Sequence, residues 1–187
     1  TGTSDAGPYV KPPRMGVILP HVVPTSDEMR RFLDAEDSPE YRVAFALMAG
    51  AGLRVSEVTT LRWTDVSLSV TSPVARVLGK GGKVRDVPLS AVVCVILEQW
   101  MSDCSRPFDS TQVVTRNVRQ IQRRVKVAAR KAGLPADWHP HVLRHGFATA
   151  VYGATKDLLV TGDLLGHSST SPTLCYPQLT PPTRTRR

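Results

Sequence analysis

The sequence predicts an α+β fold, mainly α-helical, with one small antiparallel three-stranded β-sheet built around a hairpin. Three observations carry this. Apolar residues recur at helical spacing along most of the chain, as in Tyr41, Phe45 and Met48 or Ile121, Val125 and Ala128. One stretch departs from that period: VARVLGKGGKVRDVPL holds two short β-branched runs separated by a turn containing Gly79, Gly81 and Gly82. Helix start and stop signals punctuate the remainder.

Residues 1–24 are rich in Gly and Pro, show no sustained period, and read as the remnant of an interdomain linker. Thr25-Ser-Asp-Glu28 has the capping-box form, in which hydroxyl and carboxylate each satisfy a backbone N–H of the first turn. It opens a helix carrying Met29, Phe32 and Leu33. A second helix is expected from about Pro39 to the glycines of AGAG, since Pro suits the first helical position and Gly the left-handed stop. A third runs through Val55, Val58 and Leu61. Strands are expected at Val74 to Leu78 and Val84 to Leu89, with another near Asp65 to Leu68. Ser90 can cap a helix reaching about Met101, SDCSRPFDST is loop, and a basic helix then precedes one that starts at Pro140. Thr155 is the expected cap of a helix ending at Gly166, and Ser171-Pro172 opens a short final turn. The globular domain thus spans residues 25–176, and residues 177–187 form a short Pro-rich basic tail.

With 187 residues, 41% of them apolar, the chain can bury a core of its own. No apolar run reaches the ~18 residues of a membrane span, and no signal-peptide pattern is present, so the expected location is cytoplasmic, with no membrane partner. Cys94, Cys104 and Cys175 are odd in number and lack C-x-x-C spacing, which favours free thiols over a disulfide framework or a zinc knuckle.

The balance of 24 basic against 16 acidic residues, a net +8, favours a polyanionic partner such as nucleic acid. From Arg116 to Lys131, RNVRQIQRRVKVAARK contains no acidic residue. Once Val118, Ile121, Val125 and Ala128 face the core, Arg116, Arg119, Arg123, Lys126, Arg130 and Lys131 are left for the outer faces, where they suit phosphate contacts.

HPHVLRHGFATAVYG crowds three histidines and an arginine into its first seven residues. His141 and His145 stand i, i+4 on one helical face, but Val142 occupies the position where a zinc-binding H-E-x-x-H requires Glu, so no metal is expected. His141 and Arg144, at i and i+3, share a face for another reason. Four separated pieces supply it: AGLRVSEVTTLRWTDV with Arg54, VLGKGGKVRDVPL with Lys80, HVLRHGFAT with His141 and Arg144, and LLGHSSTSPTLCY with His167 and Tyr176. In this order and at these separations they resemble the tyrosine recombinases, the phage integrase family, over about Thr25 to Tyr176.

The resemblance implies the catalytic-domain fold of that family and a DNA strand transferase independent of metal, ATP and cofactors. Residue types and chemistry agree. Attack on a phosphodiester builds negative charge on its non-bridging oxygens, so cationic donors must be preorganised around it. Arg54 and Arg144 suit this, because a guanidinium stays charged and holds two oxygens with one fork. His141 and His167 can donate further hydrogen bonds, and Tyr176 is the implied nucleophile, forming a 3′-phosphotyrosyl link. The leaving 5′-oxygen needs a proton, which the resemblance assigns to Lys80; Lys83 is the competing lysine and otherwise a DNA contact. Glu57, three residues after Arg54, is expected to orient that arginine, and His145 to support the site or pack beside it. Trp138 reads as packing at the start of the motif helix.

The implied substrates are double-stranded attachment sites of a phage or prophage integrase acting in the host nucleoid. The implied assembly is a tetramer on paired sites, with the free chain monomeric, and accessory DNA-bending or directionality proteins are further partners. Three departures accompany the match. Relatives carry an N-terminal helical domain, whereas this chain begins in linker-like sequence. Pro177 biases Tyr176 away from helical geometry, and Pro181 and Pro182 keep the tail from continuing as a helix. Alternatives with other outcomes are a catalytically silent DNA-binding module, a type IB topoisomerase-like or telomere-resolving enzyme, and a metal-dependent hydrolase.

Overall fold

The computed structural model describes residues 23–79, 82–103 and 111–166. Helix α1 (Ser26–Asp34) starts as its capping box requires: Thr25 Oγ1 accepts the Glu28 N–H at 3.2 Å, and the Glu28 carboxylate accepts the Thr25 N–H at 2.8 Å. Helix α2 (Pro39–Gly50) is apolar nearly all round and takes the centre of the molecule, with Val43 through Met48 buried without interruption. Its heaviest packing is against α4 (Ala91–Asp103) and α6 (Pro140–Thr155), and α1, α3 (Val55–Thr60) and α5 (Val118–Lys131) close the remaining sides. Phe32, Phe45 and Trp138 form an aromatic cluster there, with ring centroids 4.8 and 5.1 Å from Phe32. Trp138 is fully buried, in keeping with a packing role.

A 3-10 turn (Trp63–Asp65) leads into the sheet. Strands β1 (Val66–Ser67), β2 (Val74–Leu78) and β3 (Val84–Pro88) are ordered β1-β2-β3, all antiparallel, with Ala75 opposite Val66 and Val87 and with Leu78 opposite Val84. Ala75, Val77 and Val87 turn inward while Arg76 and Asp86 pair across the solvent face at 2.9 Å. Pro88 is tolerated because β3 is an edge strand. The segment 111–113 runs beside 61–63, where Val113 N–H donates to Leu61 O at 2.9 Å and Trp63 N–H to Thr111 O at 3.1 Å.

The end of the described chain differs from the sequence expectation. Thr155 closes α6 instead of capping the next helix, because Lys156 takes a left-handed conformation (φ 56°) and breaks the helical run. Asp157 is the cap of α7 (Leu158–Leu165): its carboxylate accepts the N–H groups of Leu159 at 2.8 Å and Val160 at 3.2 Å. The Thr155 hydroxyl instead donates to Val151 O within its own helix. The basic helix begins at Val118, with Asn117 and Gln120 forming a second capping box. The turn expected at Ser171-Pro172 and the tail lie outside the described residues.

Candidate active site

The site begins at the turn between α2 and α3. Gly52 takes a left-handed φ of 66°, and a Cβ there would stand 2.4 Å from the Phe147 ring, so only glycine fits. Leu53, fully buried, then anchors the chain and leaves Arg54 as the extended residue preceding α3. Glu57, in the first turn of α3, accepts the Arg54 backbone N–H at 2.7 Å and the Arg54 Nη1 at 2.9 Å. The carboxylate that caps the helix therefore also aims the guanidinium.

Arg144 comes from α6 and is buried, at 7% exposure. Its Nη1 donates to Gly52 O and its Nη2 to Leu165 O, while Nη1 lies 4.0 Å from Glu57 Oε2. Arg54 Nη2 reaches Gly166 O at 3.4 Å. Both arginines thus dock the carbonyl end of α7, where the helix dipole favours positive charge. His141, one turn before Arg144, lies at the mouth of this cluster with its ring 5.9 Å from that of His139. Although its surface is exposed, the protein around the His141 ring withdraws enough water to push its pKa below 6.5, and His139, Arg144 and Arg54 push the same way. His141 is therefore neutral near pH 7, able to donate from one ring nitrogen and accept at the other.

Arg85 is the residue that sequence reasoning missed. It donates from Nη1 to Glu57 Oε1 at 2.8 Å and from Nη2 to Glu57 Oε2 at 3.0 Å. Burial alone would raise the Glu57 carboxyl. The hydrogen bonds from Arg85 and the Arg54 backbone, the Arg85 charge and the Arg54 side chain together outweigh it and hold the group below 4.5. Three guanidinium groups face one carboxylate, leaving positive charge in excess. The signal was present in VRDVPL: Arg85 has the strand parity of Val87, so a charged side chain had to point toward the core and find a partner.

Lys80, His167 and Tyr176 lie outside the described residues, but two of them adjoin residues that converge here. Gly79 precedes Lys80, and a Cβ on it would stand 3.3 Å from Arg85 Nη1 and 3.9 Å from Glu57 Oε1. Gly166 precedes His167, and a Cβ on it would stand 2.9 Å from Arg85 Nε. The hairpin mouth is drawn in by a Gly79 N–H bond to Lys83 O at 2.8 Å, with the Lys83 side chain exposed. His145 is partly buried. Among the described residues no group of three or more His, Cys, Asp or Glu could hold a metal ion, and no helix is long and apolar enough to cross a membrane.

The basic helix α5 divides its charges. Arg119, Arg123, Lys126 and Arg130 are exposed. Arg116 donates to Glu40 Oε2 at 2.6 Å and stacks over Tyr41, Arg124 binds both oxygens of Glu36 at 2.7 Å, and Lys131 pairs with Asp37. The absence of acid within α5 was therefore incomplete information, because the acids arrive from the α1–α2 connection and the start of α2.

The comparisons with known proteins agree with this architecture. The sequence model of the Phage integrase family matches residues 23–181. The chain is 34% identical over 169 residues to the tyrosine recombinase XerC of Xanthomonas axonopodis pv. citri (strain 306), covering 86% of this chain and 55% of that protein. The structure of XerA recombinase superposes with a TM-score of 0.73 at 28% identity, covering 83% of this chain and 59% of the other. XerH site-specific recombinase, bound to difH substrate before cleavage, gives a TM-score of 0.66 at 25% identity over 81% of this chain and 48% of the other. The chain spans little more than half the length of the curated relatives it matches. A family match over most of the chain, joined to a helical fold with this three-stranded sheet, has one consequence: the chain belongs to the phage integrase family.

Proposed function

We propose that the chain is the catalytic domain of a site-specific DNA recombinase that cleaves and rejoins duplex DNA through a 3′-phosphotyrosyl intermediate on Tyr176. The observation that carries this is the convergence of Arg54, Glu57, Arg85 and Arg144 with the residues that immediately precede Lys80 and His167. An excess of positive charge at one partly buried spot, rimmed by a neutral imidazole, suits a phosphodiester and suits still better the more anionic state reached on attack.

In the proposed reaction the Tyr176 Oη attacks the scissile phosphorus, the phenolic proton passes to a histidine of the site, and the bond from phosphorus to the 5′-oxygen breaks. Lys80 supplies the proton to that oxygen. Arg54 and Arg144 hold the non-bridging oxygens and do the work that a divalent ion does in other nucleases, so neither metal nor ATP is required. A 5′-hydroxyl of the partner strand then attacks the phosphotyrosyl bond and releases Tyr176. Arg119, Arg123, Lys126, Arg130 and Lys83 are the proposed phosphate contacts flanking the site, and four copies on two paired sites form the proposed assembly, monomeric when free.

The test incubates the chain, with Tyr176→Phe beside it, with a library of nicked duplexes in EDTA, and sequences the DNA retained on denatured protein. Capture by the native chain alone supports the reading, and the recovered sequences show whether the sites are those of an integrating phage element. Binding without capture or cleavage favours the silent module, and strand cleavage that leaves no captured DNA and is seen only when EDTA is omitted favours a metal-dependent hydrolase. Relaxation of supercoils without exchange between duplexes favours the topoisomerase-like alternative.

A further inference from the structure

We propose that Arg85 is a positioning residue of this site, neutralising and fixing Glu57 so that Arg54 and Arg144 keep their charge available to a DNA phosphate. The inference deepens the recombinase reading and rests on it. Glu57, at 4% exposure, cannot be satisfied by solvent. If Arg54 and Arg144 were its only cations, each would be drawn to the carboxylate at the expense of the phosphate. Arg85 prevents this by binding both oxygens with its own fork, which a lysine ammonium could not do.

Arg85 also stands where three segments meet. Its Nη1 lies beneath Gly79 at the hairpin mouth, its Nε and Cζ lie beneath Gly166 at the end of α7, and its terminal nitrogens hold the first turn of α3. Any side chain on Gly166 would meet that guanidinium, at 2.9 Å from Nε. Nε itself is buried with no hydrogen-bond partner among the described residues. One side chain of β3 thus sets the spacing between the segments that lead into Lys80 and His167 and the arginine pair. Both of its terminal nitrogens are committed to Glu57, whereas Arg54 and Arg144 are held largely by backbone carbonyls that do not cancel their charge.

The test uses the full chain, the nicked duplex recovered from the native protein, and the variants Arg85→Ala, Arg85→Lys and Arg85→Ala/Glu57→Gln. Single-turnover cleavage and DNA affinity are measured separately. Arg85→Ala should slow cleavage by about 10- to 100-fold, as loss of a supporting residue behind a charged site does, while the dissociation constant changes less than about threefold. Arg85→Lys, which keeps the charge but replaces the fork with a single ammonium, should lose an intermediate amount. Removing the carboxylate as well should restore much of the lost rate, because the arginine pair is then no longer competed for. A double variant as slow as Arg85→Ala, or an equal loss of affinity and rate, would overturn the proposal. Should the native chain capture no duplex, the recombinase reading fails. The side-chain N–H signals of Arg54 and Arg144 in the free protein then decide the positioning role alone: they must shift in Arg85→Ala and return toward native positions in the double variant, and unshifted signals refute it.

Discussion

Replacing Glu57 by Gln tests the electrostatic design of the site without changing its shape. The carboxylate is 4% exposed and accepts four hydrogen bonds, from the Arg54 N–H and Nη1 and from both Nη atoms of Arg85. A glutamine keeps one acceptor oxygen but turns an NH2 group toward a guanidinium and leaves Arg85 buried without its counter-charge. Breaking a buried pair in this way costs about 3–5 kcal/mol. At ~3 °C per kcal/mol for a chain of this size, the melting temperature should fall by about 9–15 °C at pH 7. The sign of the pH dependence follows from the depressed Glu57 pKa: the stabilisation is fully present above 4.5 and is lost as pH falls through the lower folded value. The stability gap between native chain and variant should therefore narrow below pH 4.5. Urea denaturation from pH 3.5 to 7 measures it. A gap under about 1 kcal/mol at pH 7, or one independent of pH, would refute the reasoning.

Gly52→Ala should lose about 2–4 kcal/mol in the same assay, combining the left-handed φ with a collision against Phe147. Asp157→Ala should cost about 1 kcal/mol and Thr155→Ala less than about 0.5 kcal/mol, the reverse order returning the cap to Thr155. The His141 ring should titrate by NMR below 6.5; since the unfolded chain binds that proton first, His141 contributes a loss of stability as pH drops beneath 6.5, and a midpoint at or above it would exclude the crowding described. Arg144→Lys cannot span Gly52 O and Leu165 O, so amide hydrogen exchange in α7 should accelerate by about tenfold or more while α2 keeps its protection.

What the sequence made legible was local. The Thr25 to Glu28 capping box, the Pro39 start and the pairing of the two strands that flank the glycine run each depend on local sequence signals, and each appears where expected. The partnership of Arg54 with Glu57 is of the same kind, one helical turn apart. What was hidden depends on distant chain. Arg85 finds Glu57 across 28 positions, Arg116 finds Glu40 across 76, and Arg124 finds Glu36 across 88, so the parity that turned Arg85 inward did not name its partner, and the charge pattern of α5 alone could not separate structural cations from those left for a partner. Thr155 against Asp157 was a different failure: both are good caps, and the choice was made by the left-handed turn at Lys156, which no side-chain preference announces.

The division of the cations has a physical logic. A protein that collects guanidinium groups for an anion must hold them apart before the anion arrives, and each unpaired charge away from water is costly. Here the cost is met by backbone carbonyls and a single carboxylate. Gly52 O and Leu165 O fix Arg144 from opposite sides, Gly166 O and Glu57 fix Arg54, and Arg85 prevents Glu57 from neutralising either. Carbonyls are well suited to this, because they orient a guanidinium through partial charge without cancelling its full positive charge. The α2–α3 turn, the hairpin mouth and the end of α7 thereby become one unit, and a displacement of any of the three must disturb the alignment of both arginines. That linkage explains why the glycines cluster where they do: Gly52, Gly79 and Gly166 each stand where a side chain would intrude on Phe147 or Arg85, so backbone rather than side chain sets the spacing of the charges.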